Sequence, residues 1–300
     1  MMINLLFRTA FVLVLFIAAG FVQAKEVTLP HQGLILNARL VLADGKKLGD
    51  GVILITHGAL AHRDMEMITY MRKLLTEGGY NTLSINLSLG LDNRHGMYDC
   101  KVVNRHQNQD AVNEINAWVS WLKSEGASSI TLLGHSRGGA QTALYMATHN
   151  NPLVKSVVLM APAIGENTSA MAYQARFGKP LAPVLESAEK LVSAGKGNTV
   201  LDSINMMTCR DTPATAESFV SYYRRDARVD TPALLKKVNK PTLVIVADDD
   251  KVVIGLEKKI AHLVTGKHLQ MSVIDGAGHM FRDLNTDDAV DAMTDFFDGV

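Results

Sequence analysis

Neither sign of charge is in excess in this chain. Lysine plus arginine and aspartate plus glutamate each number 30. That balance excludes the concentrated basic surface of a nucleic-acid groove, and it points to no charged substrate. Aromatic residues are scarce, at 6%, so nothing suggests a platform for stacking sugars. There is no internal repeat and no low-complexity tract. With 300 residues, 47% of them hydrophobic, what remains is ordinary globular composition, enough for one large α/β domain or two small ones. Cysteine is reduced to Cys100 and Cys209.

The N-terminal segment lacks charge almost entirely. Residues 1–24 carry only Arg8 and an apolar stretch from Ala10 to Val22, shorter than the roughly 20 residues a membrane span needs. The stretch closes Val22-Gln23-Ala24, which fits the small-residue rule for cleavage after Ala24. The expectation is a cleaved export signal, a periplasmic or secreted protein and no stable membrane span. The alternative is an uncleaved N-terminal anchor. In an oxidising compartment Cys100 and Cys209 become a disulfide candidate; the alternative is two buried thiols acting as small hydrophobes.

Short β-branched runs alternate with longer segments of helical period. "LILNARLVLADGKKL" reads as a hairpin or a pair of strands. "GVILITHG", "NTLSINLS", "SITLLGHS", "SVVLMAPA", "PTLVIVADDD" and "LQMSVIDGAGH" read as further strands. Helices are predicted over 63–77, 106–123, 138–149, 255–265 and 286–298. Met67, Met71, Leu74 and Leu75 share one face of the first. Val112, Ile115, Trp118, Val119 and Leu122 share one face of the second. Met65, Met67 and Met71 read as core and gap-filling residues. The alternation predicts a mostly parallel sheet covered by helices on both faces. Residues 164–237 break the pattern. They show no strand-like run and are punctuated by Pro180, Pro183, Pro213 and Pro232. At that length they are no plain loop, and they read as an inserted helical cap on a domain spanning 25–300.

"TLLGHSRGG" places Ser136 between small residues, after a strand and before a helix. In that setting Gly134-His135-Ser136-Arg137-Gly138 is the pattern of a nucleophile elbow. The turn is sharp, so small neighbours are needed at Gly134 and Gly138, and the serine lies at a helix N-terminus. A serine hydroxyl needs a base. His279, in the loop "DGAGHMF", can supply one, and a carboxylate must orient it. Asp248, Asp249 and Asp250 end the preceding strand and keep the chain order Ser, Asp, His. The same acidic run could be a solvated loop or a weak cation site, but a hard cation wants six or more oxygens. His62, His95 and His106 with Asp92 and Asp99 match no compact zinc spacing.

On these residues the chain resembles the α/β-hydrolase family over nearly all of its length after the signal. The resemblance implies an α/β fold. Its acid follows a strand-ending small residue by three positions, which selects Asp250, with Ala247 standing where the family has glycine and Asp248 as the reserve. It matches His57-Gly58 to the family's His-Gly after the third strand. It assigns the oxyanion donors to the backbone N–H groups of Ala59 and Arg137, with His57 structural. It places the loop "LSLGLDNRHGMYDCKVVNRHQNQD" after the fourth strand, overlooking the active site. That loop could line a polar pocket, or it could pair Arg94 or Arg105 with Asp92, Asp99 or Asp110. A bridge from Cys100 to Cys209 would tie it to the cap. The function implied is an exported serine hydrolase of carboxylesterase kind. It would act on a small ester or acyl substrate through an acyl-enzyme, with no metal or organic cofactor. The alternatives are a non-catalytic binding protein on the same fold and an acyltransferase.

Overall fold

The computed structural model describes residues 24–227 and 230–300. The expected export signal therefore lies, apart from Ala24, outside the described residues. The described part opens with an antiparallel pair, β1 (Ala24–His31) and β2 (Leu34–Val41), followed by β3 (Val52–Thr56), α1 (Glu66–Glu77), β4 (Thr82–Asn86), α2 (Asn108–Ser124), β5 (Ile130–His135), α3 (Arg137–Thr148) and β6 (Val154–Met160). The first hairpin differs from expectation. "LILNARLV" is its second strand only, and "AKEVTLPH" is the first. The polar alternation of residues 24–31 fits an edge strand, whose outer face is solvated.

Next comes the insertion. It contains α4 (Ala170–Phe177), α5 (Ala182–Ser193), the antiparallel pair β7 (Val200–Met206) and β8 (Cys209–Thr215), α6 (Ala216–Tyr223) and α7 (Thr231–Leu235). The expectation of an insertion without strands was wrong. Met206 pairs with Cys209, so only Met207 and Thr208 make the turn, and Met207 adopts φ 55°. That position normally wants Asn or Gly; here neither marks the turn, and Pro213 within β8 argues against a strand. The chain finishes with β9 (Thr242–Ala247), α8 (Leu256–Ile260), β10 (Leu269–Ile274) and α9 (Leu284–Asp298).

The sheet order is β1-β2-β4-β3-β5-β6-β9-β10, antiparallel at β1–β2 and β2–β4 and parallel elsewhere. Each central strand is buried on both faces. In β3, Val52 and Leu54 face one core and Ile53 and Ile55 the other, as the two-residue period of a strand requires. The first core is closed by α2, where Val112, Ile115, Trp118, Val119 and Leu122 are fully buried. The second is closed by Met67, Met71 and Leu75 of α1 and Met293 and Phe296 of α9. Among the described residues no helix is long and apolar enough to cross a membrane.

Candidate active site

The parallel strands β3, β5, β6 and β9 all end on one side, and the loops that leave them there build the site. This is where open parallel sheets generally bind ligands. Ser136 sits between β5 and α3 with φ 54° and ψ −122°, a region that costs a non-glycine residue of order 1–3 kcal/mol. The turn is held from outside: the Ser136 N–H donates to the Met160 carbonyl at 2.9 Å, and its own carbonyl accepts from Ala163 N–H at 2.9 Å. The glycine requirement is steric. A Cβ on Gly138 would lie 2.2 Å from the His57 carbonyl oxygen, and one on Gly134 would lie 2.6 Å from that of Gly138.

His279 Nε2 lies 2.9 Å from Ser136 Oγ, and its Nδ1 lies 2.8 Å from Asp250 Oδ2. The other oxygen of Asp250 accepts from the N–H groups of Val252 and Val253 at 2.6 and 2.9 Å. Burial pushes this carboxyl up. The bonds from His279 and the two N–H groups outweigh that and leave it below its ordinary range. Asp248 and Asp249 are exposed, so of the three aspartates only Asp250 reaches the imidazole. His135, inside the elbow, is buried too. Its Nε2 donates to the His279 carbonyl at 2.9 Å, and burial, then the charge of His279, lowers its pKa to about 4. It thus fixes the backbone of the loop that carries His279.

His57 is fully buried and neutral. Its Nε2 accepts from the Leu87 N–H at 3.0 Å, so its Nδ1–H donates to the Gly58 carbonyl at 2.8 Å. Burial, then the charge of Arg94, depresses its pKa to about 3. The Gly58 carbonyl and the Ala59 N–H belong to one planar peptide and point in opposite directions. Anchoring the carbonyl therefore orients the N–H. Ala59 and Arg137 both line the cavity over Ser136, and among the described residues neither backbone N–H has a protein acceptor.

The loop after β4 does less at the cavity than its polar residues suggested. Only Met97 of that loop lines it. Among the described residues Arg94 pairs with no aspartate. It is buried and donates to the carbonyls of Leu87, Ala61 and Gly96 and to Asn86 Oδ1, which makes it the internal scaffold of the loop. Asp92 and Asp99 accept from the backbone N–H groups of Ile35 and Lys101, and Asp110 from that of Gln107. Cys100 and Cys209 form a disulfide with a Cα separation of 5.5 Å, a normal span for such a bond. It holds the turn of the β7–β8 hairpin, whose Met207 and Thr208 line the cavity, against this loop.

The cavity measures about 390 Å³. Its wall includes Met65, Met67, Met97, Met207 and Met280, so two residues expected to fill the core, Met65 and Met67, also face the ligand space. It also includes Arg137 and Arg176 and no aspartate or glutamate. The reading that only the backbone of Arg137 would matter missed this guanidinium. Nothing in the sequence places it against Tyr222, whose ring lies 5.3 Å from its centre.

The family described as serine aminopeptidase, S33, matches residues 49–283. The chain belongs to this family of α/β-hydrolases. Over 156 residues, 48% of its length, it is 26% identical to a protein of Bacillus subtilis named phospholipase YtpA, of which it spans 57%. Est1E from Butyrivibrio proteoclasticus shares its fold with a TM-score of 0.64 at 18% identity, over 91% of this chain and 98% of that one. Est1E has also been solved with ferulic acid bound, and that structure aligns with a TM-score of 0.66 at 19% identity, over 90% and 97% of the two chains. An esterase from Pyrococcus furiosus aligns with a TM-score of 0.61 at 17% identity, over 92% and 91%. At these identities the structural likeness is one of fold.

Proposed function

We propose that this chain is a serine hydrolase that cleaves carboxylic esters through an acyl-enzyme on Ser136. The observation that carries the reading is the unbroken hydrogen-bonded series from Asp250 through His279 to Ser136, within the distances proton transfer needs. Ser136 Oγ attacks the ester carbonyl while its proton passes to His279 Nε2. The imidazolium is stabilised by Asp250, and Nε2–H then returns the proton to the leaving alkoxide. Water, deprotonated by the same imidazole, releases the acid. The N–H groups of Ala59 and Arg137 hold the carbonyl oxygen as it becomes negative, each worth roughly 10²–10³ in rate.

Esters are favoured over peptides by the wall of the cavity. An aminopeptidase must hold an α-ammonium group, and the lining offers two guanidinium groups and no carboxylate. The names of the B. subtilis relative and of the Est1E and P. furiosus structures also favour ester bonds. We further propose that the protein works in the periplasm or outside the cell, with residues 164–237 acting as a cap. The disulfide supports export, since such bonds persist in oxidising compartments. The test of the mechanism is labelling with a fluorophosphonate and turnover of a p-nitrophenyl ester series, with Ser136→Ala as the comparison. Labelling confined to Ser136, with turnover lost in a folded Ser136→Ala protein, is expected. Full turnover by that variant would overturn the proposal.

A further inference from the structure

Arg137 differs from the other described arginines that are not exposed. Arg39, Arg63 and Arg72 each face a carboxylate, Asp64 or Glu26, and buried Arg94 is satisfied by carbonyl oxygens. The Arg137 guanidinium forms no ion pair among the described residues, and its Nε is buried with no acceptor. The residues outside the description, 1–23, 228 and 229, contain no aspartate or glutamate, so no carboxylate is hidden there. Its company is the Tyr222 ring and a second cation, Arg176, which lines the same cavity and, among the described residues, gives one N–H, at 2.7 Å, to the Met207 carbonyl. Arg137 is half-buried; a partly dehydrated charge without a counter-ion is unfavourable, and a ligand that brings the counter-ion relieves that cost. The methionine wall beside it suits an aliphatic chain.

We infer that the substrate is an amphiphilic ester carrying an anionic group, phosphate or carboxylate, which Arg137 and Arg176 engage while the chain lies along the methionines. This rests on the serine hydrolase reading and narrows it. Two matched pairs of substrates test it. p-Nitrophenyl hydrogen glutarate against p-nitrophenyl pentanoate asks about a carboxylate, and 1-lauroylglycerol 3-phosphate against 1-lauroylglycerol asks about a phosphate. The wild-type protein is expected to prefer the anionic member of at least one pair by tenfold or more in kcat/KM. Arg137→Met and Arg176→Gln are each expected to reduce that ratio at least fivefold. Arg176 is exposed, so its variant tests the point if Arg137→Met does not fold. Equal or poorer turnover of both anionic members, or a ratio unmoved by either substitution, overturns the inference. If the neutral esters are still cleaved and Ser136 is still labelled, the hydrolase reading survives. Absence of labelling and of all turnover overturns both.

Discussion

Acidification from pH 6 to pH 5 is expected to cost this fold about 3 kcal/mol, because it keeps three imidazoles dry. His57 and His106 have pKa values lowered to about 3, and His135 to about 4, each chiefly by burial. An unfolded chain takes up these protons near pH 6.5 while the folded chain refuses them. Their contribution is therefore complete above that pH and is lost as the pH falls towards the folded values. Glu114 works in the opposite direction. Burial raises it to about 7, against the hydrogen bonds it accepts from Ser88. Between pH 7 and its unfolded value near 4.5, the folded chain holds this proton and the unfolded chain does not, so acid favours folding through this group. Three imidazoles less one carboxyl leave the unfolded chain about two protons ahead, and each is worth about 1.36 kcal/mol per pH unit. With a urea dependence near 3 kcal/mol per molar, the top of the range for small proteins, the midpoint should move by about 1 M. Urea unfolding at pH 7.5, 6 and 5, followed by the fluorescence of buried Trp118, measures it. Glu114→Gln removes the opposing group and should steepen the loss to about 4 kcal/mol per pH unit. Stability that is flat from pH 6 to 5, or a shallower dependence in Glu114→Gln, would refute this account of the buried groups.

Three further outcomes follow from the site. Asp250→Asn should keep its bonds from Val252 and Val253 but present an N–H to His279 Nδ1, forcing the wrong tautomer. A loss of about 10³–10⁴ in kcat is expected, whereas Asp248→Asn, at an exposed position, should stay within about twofold; steady-state kinetics of the two variants decides. Gly138→Ala drives a methyl group into the His57 carbonyl and should cost about 3 kcal/mol or more, read as a fall in Tm or loss of soluble protein; a wild-type Tm would contradict the elbow geometry. Cys100→Ser with Cys209→Ser opens a link across 109 positions of sequence. It should lose about 4–5 kcal/mol on the chain-entropy estimate and raise KM by freeing the Met207–Thr208 turn; unchanged urea midpoint and KM would contradict that role.

Much was legible because it depends on local chemistry. The strands β3, β5, β6 and β9 are apolar over their whole length since both faces are covered, and the α2 stripe is apolar at helical spacing since one face is. Ser136 and His279 stand out because a sharp turn demands glycines and an imidazole needs a loop at a strand end. Asp250 was separable from Asp248 only through family resemblance. The difference between them is burial and reach, and three adjacent aspartates look alike in sequence. The β7–β8 hairpin escaped notice because its two-residue turn uses Met207 and Thr208 in place of glycine or asparagine. The sequence left Arg94 open between a pocket lining and an aspartate pair, because its acceptors are mostly backbone carbonyls, which every residue carries.

The sequence by itself determined the layered α/β fold, the sharp glycine-flanked turn at Ser136 and the chain order of the serine, the aspartates and the histidine, because periodicity and turn sterics act over a few neighbouring positions. Tertiary structure decided the rest: which aspartate meets His279, how His57 turns the Ala59 peptide, that Cys100 meets Cys209, and that two guanidinium groups share a cavity without a carboxylate. Each of these depends on side chains brought together from distant segments, and their separation in space is set only once the sheet and the insertion have packed.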